Sequence, residues 1–475
     1  MEDNLAHKCT AFKTLTAIPP KSTLRNMTTS RRNFLRLTAG SAAMAAGLAA
    51  CGTSGPKSSG NATGGAAAGT GATYWFLTGQ PQQTIREGQV KRFNDANADT
   101  KLKTTQFQND AFKQKIKTAI GAGQGPTLIW GWGGGGLKSY VAAGQVEDLT
   151  GWFGENAALK ESIFPSAFGA ATVNGKIYAM PVETTTPIVL FYNKSKFEQI
   201  GAEPPKSWGD ILDLVPKFNE KGIAPFSLGG QSRWTNMMWL EFLFDRIGGS
   251  EVFQNIFDGK PNSWSDPSAL KALEEMQKLI KAGGFIKGFS SITADSNADQ
   301  ALLYTGKAAM MVHGAWTYGG MKADGGKFVT DGKLGYMNFP PVDGGKGDPT
   351  STVGNPGQYL SISSKASQAD KDVAKKFLST STLDDASVEA WVKSGNIPVV
   401  KSAKDKLGSV TDKNDAEWLK FVYDTSANAK TFVQSWDQAL SPTAAEALLD
   451  NIAKLFQLSI SPQQFADSMN GVIGK

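Results

Sequence analysis

The chain has 475 residues, of which 40% are hydrophobic and 19% charged, with a formal net charge of +6 at pH 7. That length exceeds one ordinary core and that composition is globular, so two domains with appendages are expected and wholesale disorder is excluded. The charge excess lies in the first 50 residues, which hold seven Lys/Arg against two acidic residues; the remainder carries 42 against 41, which excludes a basic nucleic-acid-binding body.

Read from the N-terminus, residues 1–26 are expected to be an upstream extension, with Met27 as the true start. Arg31-Arg32 precede an apolar, charge-free run of 14 residues, Leu37 to Ala50. A bilayer span needs about 20 residues, so a cationic segment followed by this short run reads as an export signal, 27–50. The twin arginine resembles the signal of the Tat pathway. Leu48-Ala49-Ala50-Cys51-Gly52 resembles a bacterial lipobox; the resemblance implies cleavage before Cys51 and a diacylglycerol on its sulfur, an anchor that holds the protein at the outer face of the membrane. Residues 51–71, rich in Gly, Ser, Ala and Thr, are expected to be a flexible tether.

The body begins with a strand at Ala72–Phe76. A helix over 84–96 follows, with Ile85, Gln89 and Phe93 at helical spacing, then a strand at 101–105, a helix over 111–122 ended by Gly123, and a buried strand, Pro126–Trp130. Strands alternating with helices predict parallel βαβ units. Leu190–Asn193 and Ala308–Val312 read as further strands. Ser207-Trp208-Gly209-Asp210 predicts a capped helix start, and so does Asp266-Pro267, whose helix Gly283 closes. From Asp370 onward the pattern is mostly helical, with Ser461-Pro462 opening the last helix. The cysteines, Cys9 and Cys51, both precede the body, and His313 is its one histidine. A disulfide framework or zinc site in the body is therefore not expected, and no cofactor is implied.

Three segments carry a resemblance. They are Tyr178-Ala179-Met180-Pro181-Val182-Glu183 with the following Phe191-Tyr192-Asn193-Lys194 and Gly201 to Trp208; Gly306-Lys307-Ala308-Ala309-Met310-Met311-Val312-His313-Gly314-Ala315-Trp316; and Gly395-Asn396-Ile397-Pro398-Val399. In this order the chain resembles the family-1 extracellular solute-binding proteins, the maltose-binding-protein relatives, and among them is similar to the actinobacterial xylobiose and xylo-oligosaccharide binders. The resemblance implies an α/β fold of two lobes with a hinge and an interlobe cleft. Lobe 1 would hold 72–184 plus 356–400, and lobe 2 would hold 185–355 plus 401–475. The crossings would fall near Val182–Thr186 and Thr352–Gly357.

A pyranose needs flat aromatics for its C–H faces and amide or carboxylate groups for its hydroxyl rim. Trp316, at the carboxyl end of a strand, is expected to stack on sugar. Trp130 and Trp132 end a strand ahead of Gly133–Gly136, a run that lacks the Lys-Ser/Thr of a phosphate loop and reads as a tight turn; either indole is a candidate for the cleft. Glu183 is expected to accept bonds from hydroxyls. Trp234, Trp436, Asn355 and Gln80 are further candidates, whereas Trp152, Trp208, Trp239, Trp264, Trp391 and Trp418 are expected to be structural. His313 is expected to be packed, on the face of its strand opposite Met310, and not to act as a base.

The function implied is a monomeric, lipid-anchored receptor. It would capture a short oligosaccharide, xylobiose or a xylo-oligosaccharide first, and deliver it to an ABC permease pair driven by a cytoplasmic ATPase. The alternatives are a secreted carbohydrate hydrolase, for which nothing marks the required carboxylate pair, or a binder of polyols, peptides or iron.

Overall fold

Alternation of apolar strands and helices shapes the start of the body much as its spacing predicts. In the computed structural model, which describes residues 71–475, the strand Thr73–Leu77 turns Tyr74 and Phe76 inward and pairs in parallel with Lys103–Phe107 and Leu128–Gly131. The helices Gln82–Ala96 and Asn109–Gly121 make the crossovers. The second strand starts two residues later than expected. Leu102 is held by the Asn94 side chain, which accepts its N–H at 2.8 Å and donates to its carbonyl at 2.9 Å, so the ladder begins only beyond it. Tyr359–Ile362 and Met180–Pro181 complete this five-stranded sheet in antiparallel sense.

The second sheet has seven strands gathered around Thr184–Asn193, ten residues that are almost wholly buried. Sequence reading finds only its last four residues, because Thr184-Thr185-Thr186-Pro187 lacks an apolar alternation. Pro187 cannot donate to a ladder; it sits opposite Gly354 of Thr352–Asn355. Gly354 has φ +143°, and a Cβ there would fall 2.3 Å from the Thr186 carbonyl oxygen, so this pairing requires glycine. On the other side, Ala308–Gly314 pairs antiparallel with Thr184–Asn193 and parallel with Ala224–Ser227.

Helices cover both sheets. Trp208–Glu220 starts with the expected reciprocal cap between Ser207 and Asp210, and Pro267–Lys281 has Asp266 accepting from the Ser268 N–H. Pro462–Asn470 is capped reciprocally by Ser461 and Gln464. The helix Trp234–Gly248 is buried from Thr235 through Arg246, as a helix apolar on every side must be. One core surrounds the first sheet, with Tyr74, Phe93, Trp130 and Phe377, while the core of the second sheet is built from residues such as Trp208, Trp239, Leu273 and Phe465. The chain passes from sheet to sheet after Met180–Pro181 and again between Thr352–Asn355 and Tyr359–Ile362. A third passage is marked by Ile397–Pro398, which pairs with Thr184–Thr185. The result is a two-lobed α/β fold whose halves meet along a cleft.

Candidate functional site

The cleft encloses a cavity of ≈ 210 Å³ whose wall draws on both lobes. Four indoles line it, and three of them, Trp132, Trp234 and Trp316, are only half-buried, each placed by its local backbone. Trp316 follows the end of the strand Ala308–Gly314, and its ring folds back over Gly314. A Cβ on Gly314 would lie 1.9 Å from the Trp316 ring, so the missing side chain is what lets the indole lie there. Trp234 opens the long buried helix, directly after Arg233, whose φ is +59°. Trp132 directly follows the strand Leu128–Gly131, two residues ahead of the helix Gly134–Ala142. Trp234 and Trp316 lie 6.1 Å apart between ring centroids, and each meets His313 edge-on, at 5.4 and 5.5 Å.

Glu183 lines the cavity and is engaged within the protein. Its carboxylate is buried and accepts two bonds from Arg86, Nε to Oε1 and Nη2 to Oε2, both 2.7 Å, while the Trp130 indole N–H donates to Oε1 at 2.8 Å. Arg86 also donates to the Leu77 carbonyl. Burial alone would lower the guanidinium pKa, but the Glu183 charge and hydrogen bonds outweigh it and hold it above its ordinary value. Glu183 therefore fixes Arg86 and Trp130 in the cavity wall. Trp130 is 2% exposed and half-buried Trp132 meets it edge-on at 4.6 Å, so Trp132 is the indole of the pair with open surface.

Gln80 and Asn355 both line the cavity. The Gln80 side-chain carbonyl accepts the Thr84 hydroxyl at 2.7 Å. Trp436 corrects the sequence reading. It is 1% exposed, stacks on Phe253 at 4.6 Å and 7°, and meets Phe244 and Trp264 edge-on. Its neighbours Ser435, Asp437 and Gln438 reach the cavity instead. His313 is packed as expected, yet it lines the cavity. Its Nδ1 accepts the Gly314 N–H at 2.9 Å and its Nε2 stands 3.2 Å from Asp299. In the Gly133–Gly136 run, a helix, Gly134–Ala142, starts where a turn was expected, while the close backbone approach expected of the glycines is present: a Cβ at Gly134 or Gly135 would meet the Gln438 or Leu440 carbonyl oxygen of the other lobe.

Reading the sequence misses Arg86, Lys113 and the Asp295 contact. Arg86 was legible in principle, since it lies on one helical face with Gln89 and Phe93, where a charged residue needs a partner. Lys113 and Asp437 form an ion pair across the cleft at 2.9 Å. Asp295 accepts the Asp110 N–H at 3.0 Å, so one lobe caps the first turn of the other's helix Asn109–Gly121, whose own N-cap residue, Gln108, makes no side-chain cap bond. Gln82 Nε2 donates to the Trp316 carbonyl at 3.1 Å and Gln434 Nε2 to that of Trp132 at 2.7 Å. These bonds hold the lobes together at the cleft.

Among the described residues, four polar atoms in the cavity-lining side chains are buried without a hydrogen-bond partner: Gln300 Oε1, Asn355 Oδ1, Trp234 Nε1 and His313 Nε2, the last of which faces Asp299 at 3.2 Å. An unmade buried hydrogen bond costs about 1–3 kcal/mol, so Gln300 and Asn355 offer acceptors and Trp234 a donor to whatever fills the cavity, while His313 Nε2 is turned to Asp299. Its charges, by contrast, are engaged with one another: Arg86 with Glu183, Lys113 with Asp437, Asp295 with a helix N-terminus. Among the described residues there is no group of three or more His, Cys, Asp or Glu side chains able to hold a metal, and no helix long and apolar enough to cross a membrane. The lipobox, twin arginine and tether lie outside the described residues, apart from Gly71.

Residues 78–388 match the model of the bacterial extracellular solute-binding protein family, and the chain belongs to that family. It is 25% identical over 260 residues to an ABC transporter extracellular-binding protein of Pyrococcus horikoshii, 54% of this chain and 57% of that one. It is 26% identical over 298 residues to the multiple sugar-binding protein of Streptococcus mutans, 58% of this chain and 67% of that one. The match thus spans little more than half the length of the first relative. A solved structure described for xylan utilization by the thermophilic bacterium Caldanaerobius polysaccharolyticus superimposes with a TM-score of 0.75 and 29% identity, covering 85% of this chain and all of that one.

Proposed function

We propose that this protein is the sugar-capturing receptor of an ABC importer, binding a short neutral oligosaccharide without cleaving it. The observation that carries the reading is the meeting of the Trp132, Trp234 and Trp316 indoles with the unpartnered Gln300, Asn355 and Trp234 polar atoms in one interlobe cavity. Indole faces suit the C–H faces of a pyranose, and a hydroxyl can answer both acceptors and the donor. Mutually paired charges leave none to match an ionic ligand and favour a neutral one. The same pairing speaks for a receptor over a hydrolase. Glu183, Asp295 and Asp437 are each bonded within the protein, whereas glycoside hydrolysis wants two carboxyl groups available to the scissile bond. The relatives named for sugars and the structure studied for xylan utilization support sugar as the solute class, with β-1,4-linked xylose units as the first candidates.

In this reading the lobes move about the sheet-to-sheet passages near 182–186 and 352–357, and sugar touching both lobes favours closure. The closed form is presented to a permease pair coupled to an ATPase. The protein acts as a monomer, exported through its twin-arginine signal and tethered by lipid on Cys51. Calorimetric titration with xylo-, cello-, malto- and chito-oligosaccharides tests the binding claim. One series should bind and be recovered intact, and Trp316→Ala should weaken that binding by about 1–3 kcal/mol. Hydrolysis of the ligand, or an unchanged affinity in the variant, would refute the assignment. Cys51→Ala should move the protein from the membrane fraction to the soluble one.

A further inference from the structure

Beyond the first cavity lies a second of ≈ 460 Å³, more than twice as large. Lys113, Trp130, Trp132, Trp234, Asp437 and Gln438 line both, so the two adjoin along the cleft with these side chains between them. The Lys113 ammonium stands at the boundary. It is bonded to Asp437 and lies 5.1 Å from the Trp132 ring centroid and 6.0 Å from that of Trp234. Past it, Gly133, Gly136, Leu137 and Tyr140 form one face of the helix Gly134–Ala142 and its lead-in, opposed by Gln231 and Ser232 of the other lobe. The far wall includes Arg233 and Glu446, whose side chains are 31% and 57% exposed, so this second chamber opens to solvent there.

We infer that the site takes oligosaccharides longer than a disaccharide, with the additional units running past the Lys113–Asp437 pair into the second chamber and the chain end leaving beside Arg233 and Glu446. This rests on the sugar-receptor reading. The second chamber repeats the chemistry of the first, with aromatic surface from Trp132 and Tyr140 and a polar rim from Ser232, Gln231 and Gln438. A ligand confined to the first chamber would leave that surface unused. Only an oligomer offers a repeating unit for both, joined through a linkage narrow enough to pass the ion pair.

The test is a length series. Dissociation constants are measured for β-1,4-xylose oligomers of two to five units, with malto- and chito-oligomers of the same lengths alongside. Affinity should rise between the disaccharide and the tetrasaccharide of the binding series by roughly fivefold to tenfold, the scale of an added aromatic contact. Gly136 belongs to the second chamber only, and a Cβ there meets nothing within 4 Å. Gly136→Phe should therefore fill that chamber and erase the gain while disaccharide affinity stays within about twofold. Gly136→Ala, which leaves the space open, should keep the gain and serves as the folding control. Disaccharide binding with no gain in the wild type, or a gain that survives Gly136→Phe, overturns the two-chamber inference alone. Failure of every series at every length overturns the sugar-receptor reading, and this inference with it.

Discussion

Glu183 illustrates how sequence can place a residue without revealing its partner. Its position at the passage between lobes follows from the Met180-Pro181-Val182-Glu183 motif. Its partner does not, because Arg86 lies 97 positions earlier in the chain and only the fold brings them together. Both side chains are at most 5% exposed, so the pair cannot be opened to water cheaply. Glu183→Gln would leave the guanidinium without a counter-charge, and a broken buried pair costs about 3–5 kcal/mol. Urea unfolding should show that loss in the ligand-free protein, whereas a carboxylate serving only as a sugar acceptor would change affinity and leave unfolding almost untouched. Trp436 is the converse case. The segment around it does reach the cavity, but the large apolar ring goes into the core and the small polar neighbours face out, as burial favours.

At the scale of elements, the helix Trp234–Gly248 does two tasks. Its first turn presents Trp234, Met237 and Met238 to the cavity, while further along Glu241 is sealed inside and accepts the Trp436 N–H at 2.7 Å. Burial pushes the Glu241 carboxyl up from 4.5 to about 8; the Trp436 N–H opposes this and nearby Asp437 adds to it. In the unfolded chain the proton leaves near 4.5, whereas the folded protein keeps it until about 8. Through that window the native state holds the extra proton, so stability is full at the acidic end and falls as pH rises, by an amount on the order of 5 kcal/mol. Glu241→Gln removes the titration while keeping an acceptor for Trp436. The variant should therefore match the wild type within about 1 kcal/mol near pH 5 and exceed it near pH 9. Parallel urea midpoints across that range would show no such divergence if Glu241 were ionised in the native state.

Across the whole molecule, what was legible divides by range. Local signals such as the Ser207 and Ser461 caps and the parallel βαβ opening depend on neighbours in sequence, and they stand in the structure where the residues predict them. The two-lobed architecture followed from family motifs, not from periodicity. Trp130, Trp132, Glu183, Trp234, Trp316, Asn355 and Gln80 come together around one cavity. The bonds between lobes were invisible. Lys113 with Asp437 and Asp295 with the Asp110 N–H join positions 324 and 185 residues apart, and each residue taken alone reads as an ordinary surface charge. The strand Thr184–Asn193 was half hidden for a related reason: its threonines are buried by a pairing partner that arrives much later in the chain.

The bare backbone at Gly135 sets how far the jaws can shut. A Cβ there would come within 2.0 Å of the Leu440 carbonyl oxygen of the opposite lobe, a distance no methyl group tolerates, while the helix around it would accept alanine readily. Gly135→Ala should thus act as a doorstop, wedging the halves apart in a protein that otherwise melts normally. Small-angle scattering should find no shrinkage when sugar is added, and apparent affinity should fall roughly tenfold or more as the competent state becomes rare. On the proposed function, such a permanently ajar protein would separate the two events that transport joins, holding cargo and announcing it.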